Sequence, residues 1–255
     1  MRIVAIIPAR MGSSRFPGKP MALIHRFPMI GHCYFRISKC PDVDETYVAT
    51  CDQEIYDFIE SIGGHAIMTS NSHERASDRA AEAMLKVEAV SNKKTDILVM
   101  AQGDEPMDTP GMVSEVLKPM LSAGKPEVVN LMGRIKTIRE FEDPNTVKVV
   151  VDQEQNAIYF SREPIPSRRK YDLEFSMHKQ ICIIPFTRDY LLTFNSTKQT
   201  PLEIIESVDM LRVLESGHKV RMVYTGHDVH PVDTLEDLQK VQKLMASDSL
   251  MATYI

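Results

Sequence analysis

The sequence predicts an α/β protein with a mixed, mainly parallel sheet and an inserted antiparallel element. Short, β-branched apolar runs alternate with helix-period segments through the first half of the chain, which calls for parallel crossovers. After Gly133 the alternation gives way to closely spaced strands, Val147 to Val151 and Ala157 to Phe160, around a turn near Gln153 to Asn156. A chain of 255 residues suits one domain carrying an inserted region at about 145–195.

The first strand is the run Ile3 to Ile7, bounded by Pro8 as a buried parallel strand should be. Met29 to Lys39 has helical apolar spacing, and Thr46 to Thr50 is the second strand. Asp52 is placed to cap the next helix, whose apolar face is Ile55, Phe58, Ile59 and Ile62 and which Gly63-Gly64 closes. Ala66 to Met68 is a short third strand, Ser77 to Val90 a helix, and Thr95 to Ala101 a central fourth strand. A helix from about Gly111 to Ser122 leads to a strand at Val128 to Gly133. Beyond the hairpin come a polar loop, Ser161 to Lys170, and the apolar run Ile181 to Ile184. Helical runs follow around Tyr190 and from Leu202 to Ser216. Val220 to Tyr224 is the last strand and Thr234 to Met245 the terminal helix.

Composition narrows the function. The apolar fraction of 43% and charged fraction of 25% are those of a globular protein, and a net charge of −5 argues against a general nucleic-acid or bilayer-surface binder. No apolar run is long enough for a membrane span, and Pro8 interrupts the first strand before it could serve as a signal-peptide core. A cytoplasmic protein is expected. Cys33, Cys40, Cys51 and Cys182 lack C-x-x-C spacing, which points to reduced thiols.

The loop after the first strand carries the strongest chemical signal. Arg10, Arg15 and Lys19 supply positive charge, Ser13 and Ser14 supply hydroxyls, and Gly12 and Gly18 allow close backbone approach. An ordinary basic loop is the plain alternative, but these cations are interleaved with glycine and proline at the carboxyl end of a parallel strand, where α/β folds place ligands. Pro20 stands where a Walker A loop needs Ser or Thr. Asp104, after the central strand, and Asp233, between the last strand and a helix, add carboxylates at the same end of the sheet. A magnesium ion on a triphosphate takes one or two such carboxylates. Either aspartate alone is more often a cap or turn residue.

Several motifs in sequence order then resemble one family. Ile6-Ile7-Pro8-Ala9-Arg10, Arg15-Phe16-Pro17-Gly18-Lys19-Pro20, Gln102-Gly103-Asp104-Glu105-Pro106, Asn145-Thr146-Val147-Lys148, Tyr159-Phe160-Ser161-Arg162, Leu211-Arg212 and Val232-Asp233-Thr234 resemble the 3-deoxy-manno-octulosonate (Kdo) cytidylyltransferases. The resemblance spans nearly the whole chain. It implies a Rossmann-like nucleotidyltransferase fold, a homodimer built partly through the insertion, CTP and a sugar acid as substrates, Mg2+ as cofactor, and a place in lipopolysaccharide or surface polysaccharide biosynthesis.

By position, the resemblance implies that Arg10 and Lys19 hold the triphosphate and that Asp104 and Asp233 bind the metal. Ala9, Gly12, Ser13, Arg15, Arg75, Ala76, Ser77, Arg79 and Gln102 would line the nucleotide, with His73 in the same loop. Arg162, His178, Gln180, Cys182, Asp209 and Met210 would face the sugar. The chain departs from the family in three places. Arg75-Ala76-Ser77 replaces Ser-Gly-Thr, His178-Lys179-Gln180-Ile181-Cys182 replaces His-x-Gly-[hydrophobic]-Tyr, and Val208-Asp209-Met210-Leu211-Arg212 replaces Leu-Glu-Gln-Leu-Arg. The expected sugar is Kdo or a Kdo-like or nonulosonic acid.

The implied reaction is attack by the anomeric hydroxyl on the α-phosphate of CTP, with pyrophosphate leaving and no separate general base assigned. Two alternatives stay open: a nucleotidyltransferase for another sugar or sugar phosphate, and a catalytically inactive nucleotide-binding relative. A glycosyltransferase commonly displays Asp-x-Asp, whereas this chain has Gly103-Asp104-Glu105.

Overall fold

The computed structural model describes residues 1–12, 16–122, 124–168 and 176–255. Its packing divides into two compact units, Met1–Ser114 with Val229–Ile255, and Glu115–Asp228. The expected insertion at about 145–195 lies inside the second.

The first unit is built on β1, Ile3–Ala9, whose apolar run is buried throughout. A two-strand hairpin follows, β2 at Leu23–Ile24 and β3 at Phe27–Pro28, turned by His25 and Arg26, both with positive φ. The sequence pattern gave no sign of it, because two-residue strands show no periodicity. The helix α1, Met29–Ser38, the strand β4, Glu45–Thr50, the helix α2, Gln53–Ser61, and the strand β5, Ala66–Met68, stand within a residue or two of their expected positions. So do the helix α3, Ala76–Ser91, and the strand β6, Ile97–Ala101. These strands run β6-β1-β4-β5, all parallel. The two inner apolar runs, β1 and β6, are adjacent, with Ile6 opposite Met100. That adjacency brings the loops at their carboxyl ends side by side. The helix α4, Pro110–Leu117, carries the chain onward and tightens into a 3-10 turn, Lys118–Leu121.

In the second unit, β7 at Val129–Arg134, the short helix α5 at Ile138–Glu142, β8 at Lys148–Val151 and β9 at Ala157–Ser161 come first. The apolar run Ile181 to Ile184 is the junction of two strands, β10 at His178–Ile181 and β11 at Ile183–Thr187, with Cys182 at the break. The run of four apolar residues conceals the interruption. The helix α6, Arg188–Ser196, follows. The single helix expected from Leu202 to Ser216 is also two, α7 at Pro201–Glu206 and α8 at Met210–Glu215, because Ser207 adopts φ 51° between them. Last in this unit is β12, Arg221–Thr225. The sheet order is β12-β7-β10-β8-β9, with β12 parallel to β7 and the other neighbours antiparallel.

Two buried ionic groups hold this second unit. Lys148 donates to the carbonyls of Asp143, Thr146 and Arg162, so its ammonium is satisfied although no part of the residue reaches solvent. Arg212 grips Glu203 through two parallel bonds of 2.6 and 2.7 Å, donates to the Phe194 carbonyl, and lies 4.2 Å above the Phe194 ring. The Leu211-Arg212 motif is therefore a packing device.

The chain returns to the first unit and ends with α9, Leu235–Met245, started by a capping box between Thr234 and Asp237. The residues after α9 reach α1: Asp248 pairs with Arg36, and the Tyr254 hydroxyl lies 2.9 Å from His32 Nδ1. Arg36, nearly fully buried, also donates to the carbonyls of Met107 and Asp108. It thereby steadies the segment that follows Asp104.

Among the described residues no helix is long and apolar enough to cross a membrane.

Candidate active site

Three loops of the first unit converge at the carboxyl ends of β1 and β6. The loop after β1 is pinched at its base, where Gly18 donates to the Met11 carbonyl at 2.9 Å. Gly18 has φ 73°, a conformation that favours glycine. A 3-10 turn, Lys19–Met21, begins there, so Lys19 stands at the start of a rigid piece of backbone. Asp52 stands at the N-cap of α2 as expected, but its side chain makes no capping hydrogen bond to the helix. Its Oδ2 accepts from the Met11 backbone N–H at 2.8 Å and fixes the near side of the loop. Arg10 and Gly12 are exposed, Ala9 is buried as the last residue of β1, and Ser13 and Arg15 lie outside the described residues.

The Lys19 ammonium is held between the two aspartates. Nζ is 2.6 Å from Asp104 Oδ2, 3.1 Å from Asp233 Oδ1 and 3.2 Å from the Val232 carbonyl. The segment carrying Asp233 is tied to that carrying Asp104 by the Val232 N–H, which donates to the Asp104 carbonyl at 2.9 Å. Burial works against the charge of Lys19, but the two carboxylates outweigh it and hold the pKa above the usual lysine value. The ammonium is thus fully charged at neutral pH.

The same carboxylate oxygens suit a divalent cation, since both already converge on one positive centre. Among the described residues no group of three or more His, Cys, Asp or Glu side chains gathers as a metal cage. A metal that arrives with a polyphosphate needs no such cage. Beside Asp104, the acids Glu105 and Asp108 are buried, and burial followed by the Glu105 carboxyl pushes Asp108 well above the carboxylate range.

The loop before α3 is shaped from within. Arg79, expected near the nucleotide, is buried and donates to Thr69 Oγ1, the Ser70 carbonyl and the His73 carbonyl. His73 pairs with Glu82 on α3. Both side chains hold the loop to the helix. Arg75 occupies the position before α3, Ala76 begins the helix, and Ser77 is fully buried. Gln102 is half-buried, directly after β6.

The residues expected around the sugar all belong to the second unit. Arg162 was expected to grip a carboxylate, yet its guanidinium donates to the carbonyls of Pro144, Glu206 and Ser207 at 2.9, 2.6 and 3.3 Å. Three of its donors serve the backbone. His178 and Gln180 share one face of β10, and Gln180 Nε2 donates to Asn130 Oδ1 at 2.7 Å. The His178 ring meets that of Tyr224 edge to face at 5.8 Å. Burial, and then the nearby charge of Arg134, lower the His178 pKa. Cys182 is half-buried between β10 and β11, Asp209 precedes α8, and Met210 is buried within it.

Sequence reasoning missed the hydrogen bonds of Asp52 to Met11 and of Arg36 to Met107 and Asp108, and the placement of Arg134 and Tyr224 beside His178. Only strand register and tertiary hydrogen bonds reveal them.

Comparison with known proteins agrees with this geometry. The cytidylyltransferase family model matches residues 4–220. The 3-deoxy-manno-octulosonate cytidylyltransferase of Geobacter metallireducens is 41% identical over 222 residues, covering 83% of this chain and 85% of its own. That of Geotalea uraniireducens is likewise 41% identical, with 83% and 86% covered. The solved structure of CMP:2-keto-3-deoxy-manno-octonic acid synthetase complexed with CTP superposes with a TM-score of 0.89 at 39% identity, covering 97% of this chain and all of that one. With a family model matching most of its length, relatives 41% identical over 222 residues and a fold shared across nearly the whole chain, it belongs to the 3-deoxy-manno-octulosonate cytidylyltransferase family.

Proposed function

We propose that the protein activates a 2-keto-3-deoxy sugar acid, Kdo or a Kdo-like acid, with CTP, giving the CMP-sugar and pyrophosphate. The observation that carries this reading is the Lys19 ammonium fixed between Asp104 and Asp233. The anomeric hydroxyl attacks the α-phosphorus and gives up its proton to solvent water, the new O–P bond forms in line with the breaking bond to the β-phosphate oxygen, and pyrophosphate departs with that electron pair. Lys19 and Arg10 neutralise charge on the triphosphate and on the departing pyrophosphate. The backbone of the loop, steadied by Asp52 and Gly18, orients the phosphates. Asp104 and Asp233 are the residues that would hold Mg2+, which supplies charge neutralisation at the reacting phosphates.

The product is an activated sugar donor, suited to surface polysaccharide or lipopolysaccharide assembly in the cytoplasm. Exposed Ile158, Ile204 and Ile205 on the second unit support a homodimer.

The test is pyrophosphate release from CTP across a panel of 2-keto-3-deoxy sugar acids, with the CMP-sugar identified by mass. Release in step with product, dependent on both substrates, is expected. Silence with every acid from a folded protein that binds CTP overturns the proposal.

A further inference from the structure

On one polar face of the second unit, His178 and Gln180, already expected at the sugar, are joined by two residues outside the family motifs, Arg134 and Tyr224. Arg134 ends β7 directly opposite His178 of β10, and Met132 stands opposite both Gln180 of β10 and Tyr224 of β12. Directly opposed residues of paired strands project to the same side of a sheet, so Arg134, His178, Gln180 and Tyr224 share one face. Two contacts bear this out: the Gln180–Asn130 hydrogen bond and the edge-to-face packing of His178 on Tyr224.

The groups on this face differ in what they have left to offer. Asn130 Nδ2 is spent on the carbonyls of Ile181 and Leu131, which makes its Oδ1 the acceptor for Gln180. The Gln180 Oε1 therefore remains an acceptor. Tyr224 is 51% exposed. Arg134 is exposed, and its guanidinium makes no hydrogen bond or ion pair among the described residues. Other cations of this unit are committed: Arg162 to three carbonyls, Lys179 to Glu140, Lys136 to Asp228.

We propose that Arg134 binds the carboxylate of the sugar acid, and that His178, Tyr224 and Gln180 receive its hydroxyls. This rests on the reaction proposed above. A guanidinium matches a carboxylate with two parallel bonds, which a sugar without the acid group cannot form. An imidazole kept neutral beside that cation both donates and accepts, and so do phenol and hydroxyl groups. Arg162 then serves as a clamp on the Glu206–Ser207 backbone.

The test uses the full chain and the acid from the panel that the wild-type protein turns over best, together with the carboxamide analogue of that acid. Arg134→Ala and Arg134→Gln are expected to raise KM for the acid about 10- to 100-fold, as loss of a charge-assisted pair does, while KM for CTP stays within about 2-fold. Arg134→Lys recovers part of the loss. With the carboxamide, wild type and Arg134→Ala should differ by less than about 3-fold. An unchanged KM for the acid in both variants, or an equal loss on acid and carboxamide, overturns the assignment. Wild-type silence with every acid refutes the proposed reaction itself, and this inference with it.

Discussion

Gly103 links the fold to the chemistry, and replacing it with alanine measures that link. A Cβ built there would lie 3.0 Å from the Pro8 carbonyl oxygen, 2.9 Å from Ile30 Cδ1 and 3.4 Å from Ala9 Cβ. The end of the Ile30 side chain can swing aside, but Pro8 belongs to β1 and is held in the sheet. A carbon beside a carbonyl oxygen normally stands about 3.3–3.6 Å away, so the backbone at 103 must retreat by roughly 0.3–0.6 Å. The next residue is Asp104, whose Oδ2 is 2.6 Å from Lys19 Nζ. A misplacement of about 1 Å at a reacting centre costs on the order of 100-fold, so half of it predicts a kcat about 10-fold lower. Overpacking of this kind costs about 1–3 kcal/mol, which lowers Tm by roughly 2–12 °C in a chain of this size. Steady-state pyrophosphate release and thermal unfolding read the two effects together. A Gly103→Ala protein with wild-type kcat and wild-type Tm would refute the reasoning.

Three further outcomes are expected. Arg212→Ala leaves Glu203 buried without its partner and should destabilise the protein by about 3–5 kcal/mol in urea unfolding; a loss under about 1 kcal/mol contradicts the buried pair. Glu82, where burial is outweighed by Lys86, the Ser70 N–H and His73, has its pKa lowered to about 2. Because that is below the unfolded value, its stabilisation is present above pH 4.5 or so and fades as pH falls through about 2. Glu82→Gln should therefore flatten the dependence of Tm on pH across that interval, and an unaltered slope contradicts the assignment. Asp52→Ala removes the acceptor of the Met11 N–H and should raise KM for CTP roughly 10-fold, whereas Asp52→Asn, which keeps an acceptor, should recover most of it.

Much of the first unit was legible because its parallel strands are buried on both faces and announce themselves as continuous apolar runs. Lys19 and Asp104 were legible for a related reason: loops at the carboxyl ends of the adjacent parallel strands β1 and β6 meet, whereas Asp233, which follows a strand of the other sheet, was legible only through its Val232-Asp233-Thr234 motif. The sequence could not tell a charged side chain that faces a ligand from one that props a backbone. Arg79 and Arg162, expected at substrates, donate to backbone carbonyls, and Asp52, expected as a cap, stands at the N-cap of α2 with its carboxylate on the Met11 N–H. Register hid the rest. Arg134 is 44 residues from His178 in sequence and directly opposite it in the sheet, and no local pattern encodes that pairing. The breaks at Cys182 and Ser207 were hidden by apolar composition on either side.

The central claim is that the Lys19–Asp104–Asp233 arrangement carries nucleotide transfer, and pyrophosphate release by Asp104→Asn tests it most directly. Asparagine keeps the size of the side chain and an acceptor for Lys19 but removes the negative charge. With CTP, divalent metal and sugar acid saturating, and Tm within a few degrees of wild type, kcat should fall about 10²- to 10³-fold. A kcat within about 3-fold of wild type under those conditions would contradict the account.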